Sequence, residues 1–149
     1  MSLEIVKSTH VVFDLYAVNI ISENMGGEMP HLCTWEENGL YRKFFGVVDG
    51  EEILQSNFKS HENPEFRTNT YVINDFSDVS QFEVSDSYSK VLALTDNITS
   101  RSKGKFKIAL YSSNEEHSSY AETYCSLMAN KLFECEIFTS LSEARKWVE

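Results

Sequence analysis

Five acidic and hydroxyl side chains near the middle of the chain have the types and the spacing that could do chemistry: Asp75, Ser77, Asp78, Ser85 and Asp86. Carboxylates as close in sequence as Asp75 and Asp78 could act as general acid and base or hold a divalent ion. A serine such as Ser85 could accept a hydrogen bond at the start of a helix or carry a phosphate. Because solvated loops carry such residues routinely, the spacing alone favours a binding or regulatory loop over an active site.

The elements on either side predict where this loop lies. Tyr71–Ile73 contains only β-forming residues and Asn74–Asp78 supplies turn-forming side chains, so a buried strand is expected to end there. Ser85 or Asp86 is expected to cap a helix whose inward side chains recur at helical spacing, namely Tyr88, Val91, Leu92, Thr95 and Ile98. Open α/β sheets place their sites in polar loops at the carboxyl ends of buried strands. The segment Thr70–Tyr88 is therefore the predicted strand–loop–helix joint.

The rest of the chain predicts an α/β fold. The dipeptide Asn38-Gly39 is a strong hairpin signal between two strands, Thr34–Glu37 and Leu40–Val48. The further predicted elements are a helix after the Asp49 capping box, strand Lys105–Tyr111, helix Glu115–Phe133, strand Cys135–Phe138 and a helix after the Ser140 capping box. This alternation of helices and strands, joined by right-handed crossovers, predicts a mainly parallel sheet with an antiparallel N-terminal hairpin.

The most apolar stretch of the chain, Val11–Ile21, precedes this pattern. Its length, with Asp14 and Asn19 inside it, is too short to cross a bilayer, which takes about 20 residues. No small-residue cleavage site of a signal peptide follows it. Its Val, Ile, Phe and Tyr residues favour a strand, which could join the main sheet or serve as a hydrophobic cover or dimer contact. Both alternatives stay open.

Size and composition indicate one acidic domain, residues 1–149, that is expected in the cytoplasm. A chain of 149 residues with 42% hydrophobic residues can bury a real core. Its net charge of −10 argues against nucleic-acid binding and against attraction to anionic lipid. Cys33, Cys125 and Cys135 form no CxxC pair and are expected to be reduced core thiols, with a secreted protein that has one disulfide as the alternative.

Signatures of metals, cofactors and common enzymes are not found in the sequence. The histidines show no ligand spacing, and the pair His31-x-Cys33 is far short of a zinc site. The chain contains no GxGxxG, GxxxxGK or GxSxG motif, so it lacks the sequence signatures of nucleotide-binding proteins and of α/β-hydrolases. We therefore expect no metal, no cofactor and no enzymatic activity.

Several segments from Thr34 to Glu149 together resemble one family. They are FFGVVDGEEIL, YVINDFSDV, KIALYSS, a tyrosine-bearing helix and the closing IFTSLSEARKWV. The series is similar to the SpoIIAA-like, or STAS-related, proteins of bacteria. This resemblance implies a βα superhelix related to the STAS and CRAL-TRIO folds, usually non-enzymatic, with roles in protein–protein regulation or lipid binding. Residues 1–30 form an N-terminal extension outside the resemblance.

The resemblance also suggests a regulatory role for Ser85. Phosphorylatable anti-sigma-factor antagonists have an Asp-x-Ser after the central strand and, at the start of the next helix, a serine that a partner kinase modifies. Asp75-Phe76-Ser77 matches the first part, and Ser85 falls at the serine position. The run Glu83–Ser87 departs from the family pattern and adds negative charge to the loop, so a plain helix cap at Ser85 is the favoured interpretation.

These observations leave three function classes. The leading expectation is a STAS-like binding or regulatory module that acts through contacts with a protein partner or as a homodimer. The first alternative is a carrier or sensor of a small apolar or lipid-like ligand, which needs an apolar cavity of ligand size. The second alternative is an enzyme that uses the Asp75 and Asp78 loop.

Overall fold

One sheet with the strand order β1-β2-β3-β4-β5 forms the centre of the protein. The structure, a computed structural model, describes residues 31–114 and 118–149, so the predicted strand Val11–Ile21 lies outside the described residues. The strands are β1 His31–Trp35, β2 Gly39–Asp49, β3 Tyr71–Glu83, β4 Phe106–Tyr111 and β5 Phe133–Phe138. The helices are α1 Gly50–Glu62, α2 Asp86–Lys103, α3 Ser118–Leu127 and α4 Leu141–Val148, with a 3-10 turn at Pro64–Arg67.

The strand directions confirm the predicted fold class. β1 and β2 form an antiparallel hairpin, and each later strand pairs parallel to the one before it. The predicted turn at Asn38-Gly39 connects the hairpin, in which Trp35 pairs with Leu40. Asp49 forms the predicted capping box with Glu52, through one hydrogen bond of 2.9 Å and one of 3.1 Å. These short-range signals are therefore correctly read from sequence.

The predicted loop after Ile73 is wrong, because β3 continues as a strand to Glu83. It is held by the equally extended β2, with which it pairs in parallel from Gly39↔Tyr71 to Asp49↔Glu83. Phe76 and Val79 are buried beyond the predicted end, so the segment also contributes to the core. Tertiary pairing and burial thus override the local turn preference of its Asp and Ser residues.

The helices lie on both faces of the sheet, in unequal numbers. α1, α2 and α3 share the larger core, in which Ile53, Leu92 and Tyr124 pack with strand side chains such as Phe44. α4 covers the other face, where Ala144 and Val148 pack against Tyr71, Ile73 and Ala109. The described part of the chain is thus a three-layer α/β arrangement, with α4 on one face of the sheet and α1, α2 and α3 on the other.

The predicted inward face of α2 is largely wrong. Of its members Leu92 is buried, whereas Val91 and Ile98 are exposed. The buried residues of the helix are Ser89, Leu92, Ala93, Asp96 and Ser100. Ser89 and Ser100 donate to carbonyls of their own helix, which lets these small hydroxyls enter the core. The larger aliphatic side chains consequently point outward.

Helix α3 is shorter than predicted, because it ends at Leu127 rather than Phe133. Asn130 follows in the left-handed conformation with φ 61°, which ends the helical hydrogen bonding. Residues 115–117 lie outside the described part of the chain. Of the predicted core face, Tyr120, Tyr124 and Met128 are buried. Leu127 and Leu132 are exposed instead.

The expectation of three reduced thiols is wrong for two cysteines. Cys125 of α3 and Cys135 of β5 form a disulfide across 10 residues of sequence. The two cysteines are not part of a CxxC motif, so no short sequence pattern marks them as a pair. The turn after α3 brings them together in the fold. Cys33 on β1 lies at the edge of the larger core.

Candidate functional site

The residues of the predicted loop do not converge on one site in the structure, although Ser77 donates hydrogen bonds to Asp75. Asp75 is buried within β3, where it accepts a hydrogen bond from the hydroxyl of Tyr41 and one of 2.9 Å from the backbone N–H of Ser77. Burial, followed by the hydrogen bond to Asp75, raises the pKa of Tyr41 above its ordinary value. The Asp75 carboxylate is therefore committed to structural contacts.

Asp78 lies on the surface, where it forms an ion pair of 2.9 Å with Lys43. Both side chains are well exposed, at 37% for Lys43 and 60% for Asp78, so solvent screens the pair. The hydrogen bond that Lys43 donates to this carboxylate is the main reason that the pKa of Lys43 is raised. Asp75 and Asp78 thus sit in different environments with separate partners.

Ser85 is the N-cap of α2, as the favoured interpretation predicted. Its side chain accepts a hydrogen bond of 3.2 Å from the backbone N–H of Tyr88, and Asp86 is the first helical residue. Along β3 the distance from Asp75 to Glu83 is about 26 Å at 3.3 Å per residue. The structure therefore does not join Asp75 and Ser85 into one site, and the regulatory role of Ser85 stays a prediction.

The outward face of α2 carries a row of aliphatic side chains, which we call the apolar row: Val91, Leu94 and Ile98. Their exposed fractions are 44%, 61% and 54%. Spacing of three and four residues places them side by side on one face of the helix. Exposed Lys90 and Arg101, at the same spacing from Leu94 and Ile98, flank the row. The row is an apolar surface with a basic border.

Behind the helices lies a second feature, a buried polar cluster around Arg42 of β2. Arg42 is 3% exposed, and its Nε donates to Oδ1 of Asn74 at 2.8 Å. Its Nη1 donates to the hydroxyl of Ser56 at 2.8 Å and more distantly to that of Ser60 at 3.4 Å. Burial lowers the pKa of Arg42, although a guanidinium stays charged in proteins.

An interior cavity of about 30 Å³ adjoins this cluster. Its polar lining consists of Arg42, Asn57, Ser60, His61, Asn69, Tyr71, Asn74, Asp96, Tyr120 and Tyr124. Its apolar lining consists of Trp35, Leu40, Ile53, Phe66, Val72, Phe106, Ile108 and Phe133. The polar groups come from strands β2 and β3, from helices α1, α2 and α3, and from the Asn69 connection. The cavity is therefore a meeting point of elements that are distant in sequence.

Two titratable side chains face each other across this cavity. His61 Nε2 lies 3.9 Å from Oδ1 of Asp96, and the other oxygen of Asp96 accepts a hydrogen bond from the hydroxyl of Tyr124. Burial raises the pKa of Asp96 to about 6. Burial, with a smaller contribution from Arg42, lowers the pKa of His61 to about 4. At pH 7 His61 is consequently neutral and Asp96 is mostly ionised.

This buried polar cluster was not predicted from the sequence, although the sequence contains one signal for it. Arg42 alternates with Leu40 and Phe44 in β2, so the period of two places the arginine on the inward face. A charged residue at an inward position is rare unless it has partners. No local pattern could have identified Asn69 or Asp96, because their shared position depends on the packing of separate elements.

Within residues 31–114 and 118–149, no group of three or more His, Cys, Asp or Glu side chains is placed to hold a metal ion. The helices in these ranges also lack the length and apolar character that a membrane span requires.

Comparisons with known proteins found similarity in structure. No protein-family profile matches the chain, and no curated protein matches it in sequence. A solved structure matches with 16% identity and a TM-score of 0.42, over 80% of this chain and 92% of the other. It is an uncharacterised protein of the DUF3478 family with a SpoIIAA-like fold, from Shewanella loihica PV-4. The sequence was found to resemble SpoIIAA-like proteins, and this solved structure is described as having a SpoIIAA-like fold. A match at this identity and TM-score says nothing about function.

Proposed function

We propose that this protein is a non-enzymatic binding or regulatory module that acts through protein–protein contacts, with the apolar row as its docking surface. The single observation behind the proposal is that α2 exposes Val91, Leu94 and Ile98 while it buries Ser89, Asp96 and Ser100. In a helix that only covers a sheet, the aliphatic residues face the core and the polar residues face water. α2 buries Leu92 and Ala93 as such a helix does, but it also exposes three larger aliphatic side chains, which favours a second surface outside the helix.

The spacing and the border of the apolar row suggest the chemistry of the partner. Residues at i, i+3 and i+7 are the positions through which a helix inserts into an apolar groove. Lys90 and Arg101 border the row in a chain whose net charge is −10, so the positive charge is local. A partner surface with an apolar groove and an acidic rim would complement both features.

The other two function classes receive less support from the described residues. A carrier of an apolar ligand needs an apolar pocket of about 300 Å³ or more. The interior cavity around Arg42 is about 30 Å³ and is lined by many polar side chains. An enzyme that uses Asp75 and Asp78 would need both carboxylates at one reacting centre, whereas each has its own protein partner. These observations favour the binding module.

Crosslinking tests the proposal in the native cell. A photo-crosslinking amino acid is placed at Leu94 and, as a control, at Ser142, which is exposed on α4 on the opposite face of the sheet. Each crosslinked product is identified by mass spectrometry. The partner found is then purified, and its affinity is measured for the parent, for Leu94→Glu and for Ser142→Glu, which carry the same charge change.

We expect Leu94 to crosslink to a defined protein, and Leu94→Glu to weaken the binding of that protein at least about tenfold, or 1.4 kcal/mol. Ser142→Glu should bind like the parent. A crosslink to a second copy of this chain would identify the partner as a homodimer. Crosslinking of Leu94 only to residues 1–30 of the same chain would contradict the proposal, because the row would then be an internal contact.

A further inference from the structure

Asn69 presents both ends of its side-chain amide to the interior cavity without a partner. The residue is 2% exposed. Among the described residues, nothing donates to its Oδ1 or accepts from its Nδ2. A buried amide that gives up water without making protein hydrogen bonds destabilises the fold. Its position in the cavity lining indicates that another molecule supplies these bonds.

Arg42 provides a positive charge at the same cavity. Its three hydrogen bonds go to neutral acceptors, the amide oxygen of Asn74 and the hydroxyls of Ser56 and Ser60. Within the described ranges no carboxylate lies within ion-pair distance of it. Asp96 acts on Arg42 at longer range, as the mutual effect of the two charges on their pKa values shows. A buried guanidinium without a direct ion pair is costly, so an anion that reaches it in the cavity would stabilise Arg42.

The dimensions of the cavity limit the size of its occupant. A volume of about 30 Å³ has room for about two water molecules, which is also the scale of one carboxylate group. The lining side chains Trp35 and His61 are half-buried, whereas the others are buried, so entry is expected beside these two rings. The site therefore admits a small molecule and excludes a long chain.

We propose that this cavity is a binding site for a small monocarboxylate of the size of formate or acetate, held between Arg42 and Asn69. The carboxylate oxygens accept from the Arg42 guanidinium, whose planar donors fit this group, and from Nδ2 of Asn69. Water alone can satisfy Asn69 but supplies no charge to Arg42. The carboxylate accepts from both Arg42 and Nδ2 of Asn69 and brings a negative charge to the guanidinium, which is why it is preferred to water at these donors; Oδ1 of Asn69, itself an acceptor, receives no bond from it.

Asp96 lines the cavity, and when it is ionised its carboxylate repels a bound anion. The groups around it are Arg42 from β2, His61 from α1, and Tyr120 and Tyr124 from α3. Tyr124 donates a hydrogen bond to it, and burial raises its pKa to about 6. Asp96 is thus able to take up a proton when a second negative charge enters. The bound state keeps one net negative charge beside Arg42.

The test is a titration of the full-length, ¹⁵N-labelled protein with sodium formate and sodium acetate, followed by NMR. Sodium chloride at the same ionic strength serves as the salt control, and sodium butyrate serves as a probe too long for the cavity. The side-chain amide signals of Asn69 and Asn57 report binding at the cavity itself. Two variants are compared with the parent, Asn69→Leu and Asn97→Leu.

The second variant is a matched control. Asn97 on α2 also has a buried, unpartnered Oδ1 among the described residues, but it lies outside the cavity lining. Leucine is close to asparagine in shape and removes the unpaired polar atoms at either position. Asn69→Leu is not expected to melt below the parent, because it replaces a buried side-chain amide that makes no bond within the described residues.

We expect saturable shifts of the Asn69 amide with formate and acetate, and none with chloride or butyrate. Asn69→Leu should weaken carboxylate binding at least about tenfold, and Asn97→Leu should bind like the parent.

Non-saturable shifts of the parent, or equal shifts with chloride, would overturn the proposal and leave water in the cavity. The parent titration decides this even if Asn69→Leu does not fold. Equal affinity of a folded Asn69→Leu would also overturn it. None of these outcomes depends on a partner at the apolar row. The carboxylate site and the proposed function can therefore be confirmed or contradicted independently.

Discussion

Buried polar side chains set the character of the interior at the residue scale. Arg42 lies among aromatic and aliphatic neighbours, with its guanidinium 5.6 Å from the ring centre of Phe44. It is tolerated there because Asn74, Ser56 and Ser60 accept its hydrogen bonds. Each of these polar groups replaces water that the charge loses on folding. The core therefore depends on a specific set of bonds as well as on apolar packing.

His61 should make the stability of the protein depend on pH. Burial lowers its folded-state pKa from 6.5 to about 4, so between these pH values the unfolded chain binds a proton that the folded protein does not. Folding stability is therefore lost as pH falls from 6.5 towards 4, by up to about 1.4 kcal/mol per pH unit for this proton. Asp96, whose pKa burial raises to about 6, contributes in the opposite direction, because between pH 6 and pH 3.8 the folded protein binds a proton that the unfolded chain does not. His61→Gln should remove the His61 contribution alone, so that its stability relative to the parent increases as the pH falls.

Urea unfolding of the parent and of His61→Gln, measured at several values between pH 4 and pH 7, checks this expectation. The comparison uses the slopes, because the substitution also removes the ring contact of His61 with Phe66, which is 4.6 Å between centroids. Parallel profiles for the two proteins would show that His61 is not kept neutral by burial.

At the scale of elements, the long pair formed by β2 and β3 is the main departure from the predicted organisation. The pairing shifts register between Lys43 and Phe45 and again between Gly46 and Val47. Gly46 adopts φ 72°, a conformation that glycine reaches without steric cost. The irregularity lets the two strands stay paired beyond the end of β4 at Tyr111.

Gly46→Ala should therefore destabilise the protein by about 1–2 kcal/mol, because an L-residue is strained at this positive φ. Gly46→Asn is the matched variant, since asparagine tolerates the left-handed region better, and it should cost less. Chemical denaturation of the three proteins measures both values. Equal losses for the two variants would mean that side-chain bulk, rather than φ, decides the effect.

On the scale of the whole molecule, two stretches of the chain stand out as apolar. One is the apolar row of α2, and the other is the sequence Val11–Ile21, which lies outside these residues. Apolar surface of this kind is characteristic of contacts with another chain or another segment. The two segments therefore bear on the association state of the protein.

We expect deletion of residues 1–28 to change the oligomeric state or the solubility of the protein. Val11, Phe13 and Leu15 share one face at period two, and an apolar strand with an open edge pairs readily with another chain. Light scattering of the parent and the truncated protein measures the mass in solution. Full-length protein with serine at these three positions separates the effect of the apolar face from that of chain length. A truncated protein that stays soluble in the parent's oligomeric state would show that the segment is passive.

Local signals predicted a substantial part of the architecture. The Asn38-Gly39 turn and the capping residues Asp49, Ser85 and Ser140 have their predicted roles, because each depends on atoms within four residues. The alternation of strands and helices likewise predicted the mainly parallel sheet with its antiparallel hairpin. These features follow from backbone preferences and from hydrogen bonds that form between near neighbours in sequence.

The tertiary structure alone decided the features that depend on distant partners. β2 holds β3 in a strand through a segment rich in turn-forming residues, and Tyr124 lets Asp96 enter the core. Cys125 reaches Cys135 through the packing of α3 on β5. The periodicity of α2 could show that one face is apolar but not whether that face meets the core or the solvent. A sequence pattern records the preference of a residue for an environment, whereas the environment itself is assembled from elements far apart in the chain.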